Sequence, residues 1–175
     1  METQDSFVLE YIEKLLSSDV SPEDKAYACL TTGQMMEHKG NYRAALECYA
    51  LAFSVDPVKN DVWYFLHNNF AFCLNLFGRF EEAEIYCRQA IVINGERHNA
   101  HKNLGIALEG ESRYAESARA FILAVRVCPQ DPRALERLEQ LFGSHPEVES
   151  ELPDIFSQIE ECEQAVQTAR SIRPE

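Results

Sequence analysis

The stretch HNNFAFCLNLFGRFEEA covers residues 67–83, and HKNLGIALEGESRYAES covers residues 101–117, an offset of 34 residues. A third copy stands upstream when residues 26–57, 64–95 and 98–129 are laid over one another. The eighth column then holds Gly33, Ala71 and Gly105, and the eleventh holds Met36, Leu74 and Leu108. The seventeenth holds Tyr42, Phe80 and Tyr114, and the twentieth holds Ala45, Ala83 and Ser117. Tyr49, Cys87 and Phe121 share the twenty-fourth, and Ala52, Ala90 and Ala124 the twenty-seventh. The three units close on Pro57, Gly95 and Pro129.

Each column has a physical reading. Apolar residues recur at helical spacing in the first half of a unit, as in Phe70, Leu74 and Phe77 or Leu104 and Leu108. A break follows, written KGNY, FGRF or ESRY, in which Gly40 and Gly78 suit the left-handed conformation that ends a helix. The aromatic after the break opens a second helix. Small residues at columns eight, twenty and twenty-seven let two helices approach to roughly 8–10 Å. Pro57 and Pro129 stop the second helix, because proline cannot donate to its ladder. One unit is thus a helical hairpin whose apolar face needs another unit to cover it, so stacking is obligatory.

On these columns the sequence resembles the tetratricopeptide repeat (TPR) family. That family has a period of about 34 residues, with Gly or Ala at column eight, Ala at columns twenty and twenty-seven, and Pro at column thirty-two. The resemblance implies an all-α fold, an α-solenoid of antiparallel helix pairs forming a TPR superhelix with capping helices at both ends. Departures are few. Gly95 replaces the closing proline, Ser117 replaces an alanine, and the large residue expected at column four is Cys29, His67 or His101. The first two units start 38 residues apart, so extra residues fall near VKND (58–61). Asp61 is placed to cap a first helix lengthened by about one turn, which gives Trp63 room to pack.

The flanks are helical too, within one domain. Residues 1–22 form an N-terminal helix with Phe7, Tyr11, Leu15 and Leu16 on one stripe, and residues 23–130 carry the three units. Residues 131–175 hold a decayed fourth unit and a capping helix. In the former, Leu135, Leu138, Leu141 and Phe142 face inward and Gly143 ends the helix. In the latter, Ile155, Ile159, Cys162, Val166 and Ala169 line a stripe, with Pro153 in the first turn. That stripe serves as a cap or, alternatively, as a dimer surface.

Bulk properties exclude several classes. The acidic N-terminus has no cationic region followed by an apolar core, and no apolar run approaches a membrane span, so the chain reads as cytoplasmic. Its net charge of −13 makes nucleic acid an unsuitable partner. Most of the charge lies at the ends, −5 over residues 1–25 and −7 over residues 136–175. None of the six cysteines falls in a C-x-x-C or a zinc spacing, and most occupy apolar helical positions as reduced packing residues. No catalytic motif is present, and His98 with His101 lacks an evident third metal ligand. The expectation is no enzyme, no cofactor and no metal.

What remains is a second stripe on the first helices, which the family resemblance places on the hollow side of a curved stack as a partner-binding groove. It comprises Tyr27, Leu30, Thr31, Gln34 and His38 in unit one, Phe65, Asn69, Phe72 and Leu76 with Asn68 and Asn75 beside them in unit two, and Asn99, Lys102, Asn103, Ile106 and Glu109 in unit three. Asn69 and Asn103 share column six, where a side-chain amide can grip a peptide backbone. This resembles the asparagine ladder in the TPR array of the O-linked N-acetylglucosamine transferase. Asn103, Arg133 and Arg137 also match three of the five positions of the carboxylate clamp by which some TPR domains hold chaperone tails, with Asn68 and Phe72 at the other two. The implied function is a non-enzymatic adaptor for an extended or helical segment of another protein. Alternatives are a secretion-type chaperone for an apolar client, a self-assembling scaffold unit, and the TPR portion of a longer enzyme.

Overall fold

The computed structural model describes residues 10, 12, 14–55 and 61–171. The helices are α1 (Pro22–His38), α2 (Tyr42–Ala52), α3 (Asp61–Leu76), α4 (Phe80–Ile93), α5 (His98–Gly110), α6 (Tyr114–Val127), α7 (Arg133–Ser144), the short α8 (Val148–Glu151) and α9 (Ile155–Ser171). Ile12, ahead of α1, is fully buried, and Leu16 packs on the same core. Phe7 and Tyr11 of the expected N-terminal stripe lie outside the described residues, as do Pro57 and residues 58–60.

Local chemistry sets the helix ends. Ser21 caps α1 by accepting from the Asp24 amide at 3.1 Å, with Pro22 in the first turn. Asn41 caps α2 by accepting from the Ala44 amide at 3.2 Å. Three turns between hairpin helices share one geometry. Gly40, Gly78 and Ser112 take φ of 73°, 71° and 62°, and the next amide reaches back to the carbonyl of Met36, Leu74 or Leu108 at 2.9–3.0 Å. Ser112 therefore holds a left-handed conformation that costs a side-chain-bearing residue about 1–2 kcal/mol.

Within each hairpin the helices meet most closely at column eight. A Cβ on Gly33 would lie 2.2 Å from Cε1 of Tyr49, and one on Gly105 would lie 2.5 Å from Cε1 of Phe121. Unit two solves the same problem in reverse, pairing the larger Ala71 with the smaller Cys87. Ser117 is buried at column twenty because its hydroxyl donates to the Gly105 carbonyl at 2.7 Å, so the departure from alanine leaves no polar atom unpaired.

The extra residues before unit two lengthen α3 at its start. Asp61 is the first residue of the helix and pairs with Arg97 at 2.9 Å, instead of standing ahead of the helix as a cap. Trp63 is buried in a ring cluster in which Phe53 lies 4.9–5.7 Å from Trp63, His67, Phe70 and Tyr86. Each such pair contributes about 0.5–1.5 kcal/mol beyond its burial. His67 fits the column-four position because Nδ1 donates to the Trp63 carbonyl at 2.7 Å.

Hairpins α1–α2, α3–α4 and α5–α6 stack in sequence, each second helix packing on the next first helix. The first helices also pack directly on one another, α1 on α3 and α3 on α5. At the C-terminal end α9 covers α6 and α7, burying Ile155, Cys162 and Val166. That burial closes the stack and removes the stripe as a dimer surface. Two details differ from the sequence reading. Gly143 lies inside the last turn of α7, which continues to Ser144, and Pro153 precedes α9 in a turn.

Two substitutions test this account. Gly105→Ala costs about 1–3 kcal/mol by overpacking. Phe121→Cys costs about 3 kcal/mol as a cavity. The double variant, which restores the pairing of unit two, costs clearly less than their sum by urea denaturation. Ser112→Gly stabilises by about 1 kcal/mol, read as a higher Tm.

Candidate binding hollow

Because α1, α3 and α5 touch one another directly, their free sides line one shared face, and α7 extends it through its contact with α6. Column twelve bridges the first helices in every unit. Glu37 accepts from the Cys73 thiol of α3 at 3.8 Å, the Asn75 amide donates to the Asn103 carbonyl of α5 at 2.9 Å, and Glu109 pairs with Arg137 of α7 at 2.5 Å. These bridges form the side wall of the face.

The asparagines sit deeper than a peptide-gripping ladder requires. Asn103 is only 4% exposed, and its Nδ2 donates to Oδ1 of Asn68 at 3.1 Å. Asn68 is also buried, and its own Nδ2 donates to Oδ1 of Asn69 at 3.0 Å. Asn69 is half-buried and directs Nδ2 at the Tyr49 hydroxyl at 3.5 Å. The Tyr49 hydroxyl in turn donates to Glu37 at 2.6 Å. The amides thus join the repeats to each other, and Asn69 is the one of the three that also meets solvent.

The rest of the stripe is more open. Tyr27 is 58% exposed at the α1 end, and Gln34 is half-buried. Phe72 is half-buried with its ring 6.0 Å from that of Tyr42. Phe65 is half-buried beneath the Arg97 guanidinium, which lies 4.8 Å from its centroid. Ile106 is half-buried against the C-terminal core, and Asn99 accepts from Lys102 Nζ at 3.5 Å.

Charge is arranged unequally. Arg133 wraps Asp131, with Nε at 2.7 Å and Nη2 at 2.5 Å, and Arg137 is held by Glu109. Both clamp-like arginines therefore carry a carboxylate of the chain itself. Asp131 also receives His98 Nε2 at 2.8 Å, and the Arg133 guanidinium holds its carboxyl well below the usual range. Lys102 differs: half-buried, it forms no ion pair with a described carboxylate. Burial first and Arg133 second push its ammonium below the usual lysine range. Glu37 is pushed up by burial, against the pull of Tyr49 and Cys73.

Sequence reasoning missed Glu37, Tyr49 and Asp131 as parts of this face, whereas Asn75 and Glu109 were on or beside the expected stripe. The repetition of polar residues at column twelve (Glu37, Asn75 and Glu109) was the available signal. His98 and His101 turn to different partners, Asp131 and the Gly95 carbonyl at 2.8 Å, and no group of three potential ligands among the described residues is placed to hold a metal. The six cysteines are unpaired, five of them buried, and burial raises Cys29 to about 11 and Cys48 to about 12, away from thiolate chemistry. No described helix is long and apolar enough to cross a membrane.

No protein-family model matches the chain. Over 112 residues, 62% of the chain, it is 30% identical to Protein O-mannosyl-transferase Tmtc3 of Drosophila melanogaster. Over 109 residues it is 35% identical to the TPR repeat-containing thioredoxin TTL4 of Arabidopsis thaliana. These matches span only 12% and 15% of the two relatives. Among solved structures, the second TPR domain of human RPAP3, in complex with the HSP70 peptide SGPTIEEVD, superposes with a TM-score of 0.62 at 26% identity, covering 69% of this chain and 98% of that domain. With its period, its columns and these neighbours, the chain has the fold of tetratricopeptide-repeat domains.

The depressed Asp131 carboxyl yields a pH signature. A folded-state value below the unfolded one contributes stability that is complete above the ordinary aspartate range and is lost as pH falls through the folded value. Asp131→Asn therefore lowers Tm at pH 7, and the gap to the parent chain narrows as pH drops below about 4.

Proposed function

We propose that this tetratricopeptide-repeat chain is a non-enzymatic docking module that holds an extended segment of another protein along α1, α3, α5 and α7. One observation carries the reading: the packed first helices leave Phe65, Asn69, Phe72, Lys102 and Ile106 half-covered on their shared face. Rings and an isoleucine accept side chains, an amide accepts backbone, and Lys102 offers a cation in no ion pair with a described carboxylate. An acidic residue or chain terminus placed beside Lys102 relieves the cost of holding that ammonium half out of water. The RPAP3 domain, similar at 26% identity, takes a peptide with such an end. In this chain Arg133 and Arg137 contribute field more than direct contact, since Asp131 and Glu109 already occupy them.

The measurement is an NMR titration with SGPTIEEVD and its C-terminally amidated form. The expected result is shifts confined to α1, α3, α5 and α7, weaker binding of the amidated peptide, and a loss of about five- to tenfold in Lys102→Ala, or about 1–1.4 kcal/mol. Shifts limited to the second helices, or none, overturn the reading.

A further inference from the structure

Two half-buried charges of opposite sign lie on the first-helix face, and neither is in an ion pair with a described residue. Glu37 on α1 receives the Tyr49 hydroxyl at 2.6 Å and the Cys73 thiol at 3.8 Å, both on Oε1. No hydrogen bond to its Oε2 comes from a described residue. Lys102 on α5 reaches the Asn99 amide oxygen alone, at 3.5 Å. Between the two runs a line of uncharged polar groups, Tyr49, Asn69, Asn68 and Asn103, each bonded to the next at 3.0–3.5 Å.

The comparison with unit three is instructive. Glu109 occupies the same column as Glu37, and α7 sets Arg137 against it. On α3 the column that holds Arg137 in α7 holds Asn69, and Glu37 meets the Cys73 thiol, a weak neutral donor, so α3 gives Glu37 no ion pair. A glutamine would serve Tyr49 as an acceptor with less desolvation. At the other end Lys102 stands beside a second cation, Arg133, and feels Asp131 only at a distance, since Arg133 and His98 hold that carboxylate.

We propose that the hollow reads a dipolar segment: an extended stretch of a partner protein that sets a Lys or Arg against Glu37 and an Asp, Glu or chain terminus against Lys102. This rests on the docking reading above and adds a second, opposite pole to it. Packed helices lie about 8–10 Å apart, so α1 and α5 are separated by about 16–20 Å, and Glu37 at column twelve stands about 10 Å along the helix from the level of Lys102 at column five. The span between the poles is then about 19–23 Å, which six or seven extended residues cover at about 3.3 Å each. Neutral amides between the poles suit the uncharged middle of such a segment, and the order of charges follows from the fold.

The experiment uses the full chain and three end-blocked peptides in a neutral alanine, serine and glutamine background. One carries a lysine and a glutamate about six or seven residues apart, one the glutamate alone and one the lysine alone. By NMR titration, the doubly charged peptide binds about tenfold or more tighter than either singly charged one. Glu37→Gln, which keeps an acceptor for Tyr49, lowers the doubly charged peptide to the affinity of the glutamate peptide and leaves the latter unchanged. Lys102→Gln does the converse with the lysine peptide. Melting curves and far-ultraviolet circular dichroism establish that both variants are folded. Equal affinities for the three peptides, or a ratio untouched by Glu37→Gln, overturn the dipolar inference while the docking reading stands. Absence of shifts on the hollow with all three overturns both.

Discussion

Where Tyr49 lies over Gly33 and Phe121 over Gly105, the two helices of a hairpin come so close that a methyl group on either glycine would sit 2.2 or 2.5 Å from a ring carbon. This contact governs the array. The ring closes its hairpin by covering the bare backbone of the first helix, and it is itself fully buried by doing so. Unit two keeps the spacing with a different division of volume, Ala71 against Cys87. What the fold requires at this point is a summed volume, not a particular residue. With the hairpins shut to a common width, each second helix seats on the next first helix, and the first helices are drawn together on one side.

That side is held by polar groups instead of apolar ones. Column twelve supplies a carboxylate, an amide and a carboxylate, and each reaches the next first helix. Buried polar links add little net stability compared with well-packed apolar side chains. They do, however, tolerate only a narrow range of geometry, because a shift of an ångström leaves a sealed donor or acceptor unpaired. The ring contacts set how tightly a hairpin closes. The amide and carboxylate bridges set how one hairpin is placed on the next, and so the shape of the face between them.

This division also explains what the sequence disclosed. Contacts inside a hairpin recur every 34 residues between fixed columns, so Gly33 with Tyr49, Gly105 with Phe121 and the turns at Gly40 and Gly78 announce themselves by repetition. Ser112 did not, because serine carries no signature of the left-handed region that its position imposes. The short α8 and the exit of α7 past Gly143 lie beyond the last full unit, where no second copy exists to compare. In the hollow, the stripe as a whole was legible from helical periodicity, but the partners of its polar members were not. Asn103 bonds Asn68 and Arg137 bonds Glu109 across 35 and 28 residues. Such pairings depend on the rotation between units, which a linear pattern does not contain. Asn69 and Asn103 share a column, yet the latter is sealed and the former is not, since α3 and α5 meet different neighbours.

Long-range and short-range electrostatics therefore act in opposite senses on this face. Over distances beyond about 8–10 Å at physiological salt the surface charge is screened, and a chain of −13 repels an acidic partner only weakly there. At contact the local balance decides. Arg133 and Arg137 are neutralised by Asp131 and Glu109, whereas Lys102 and Glu37 form no ion pair with a described residue. A cation held half out of water in a low-dielectric wall attracts a counter-charge more strongly than a solvated surface lysine does. Among the described residues of the acidic ends, Asp19, Glu23 and Asp24 lie before or at the start of α1, and Glu136 to Glu163 lie on or between α7 and α9. An acidic chain can thus present a seam that favours a carboxylate at one end and an ammonium or guanidinium at the other, because burial, not net charge, determines which of its charges are left without a partner.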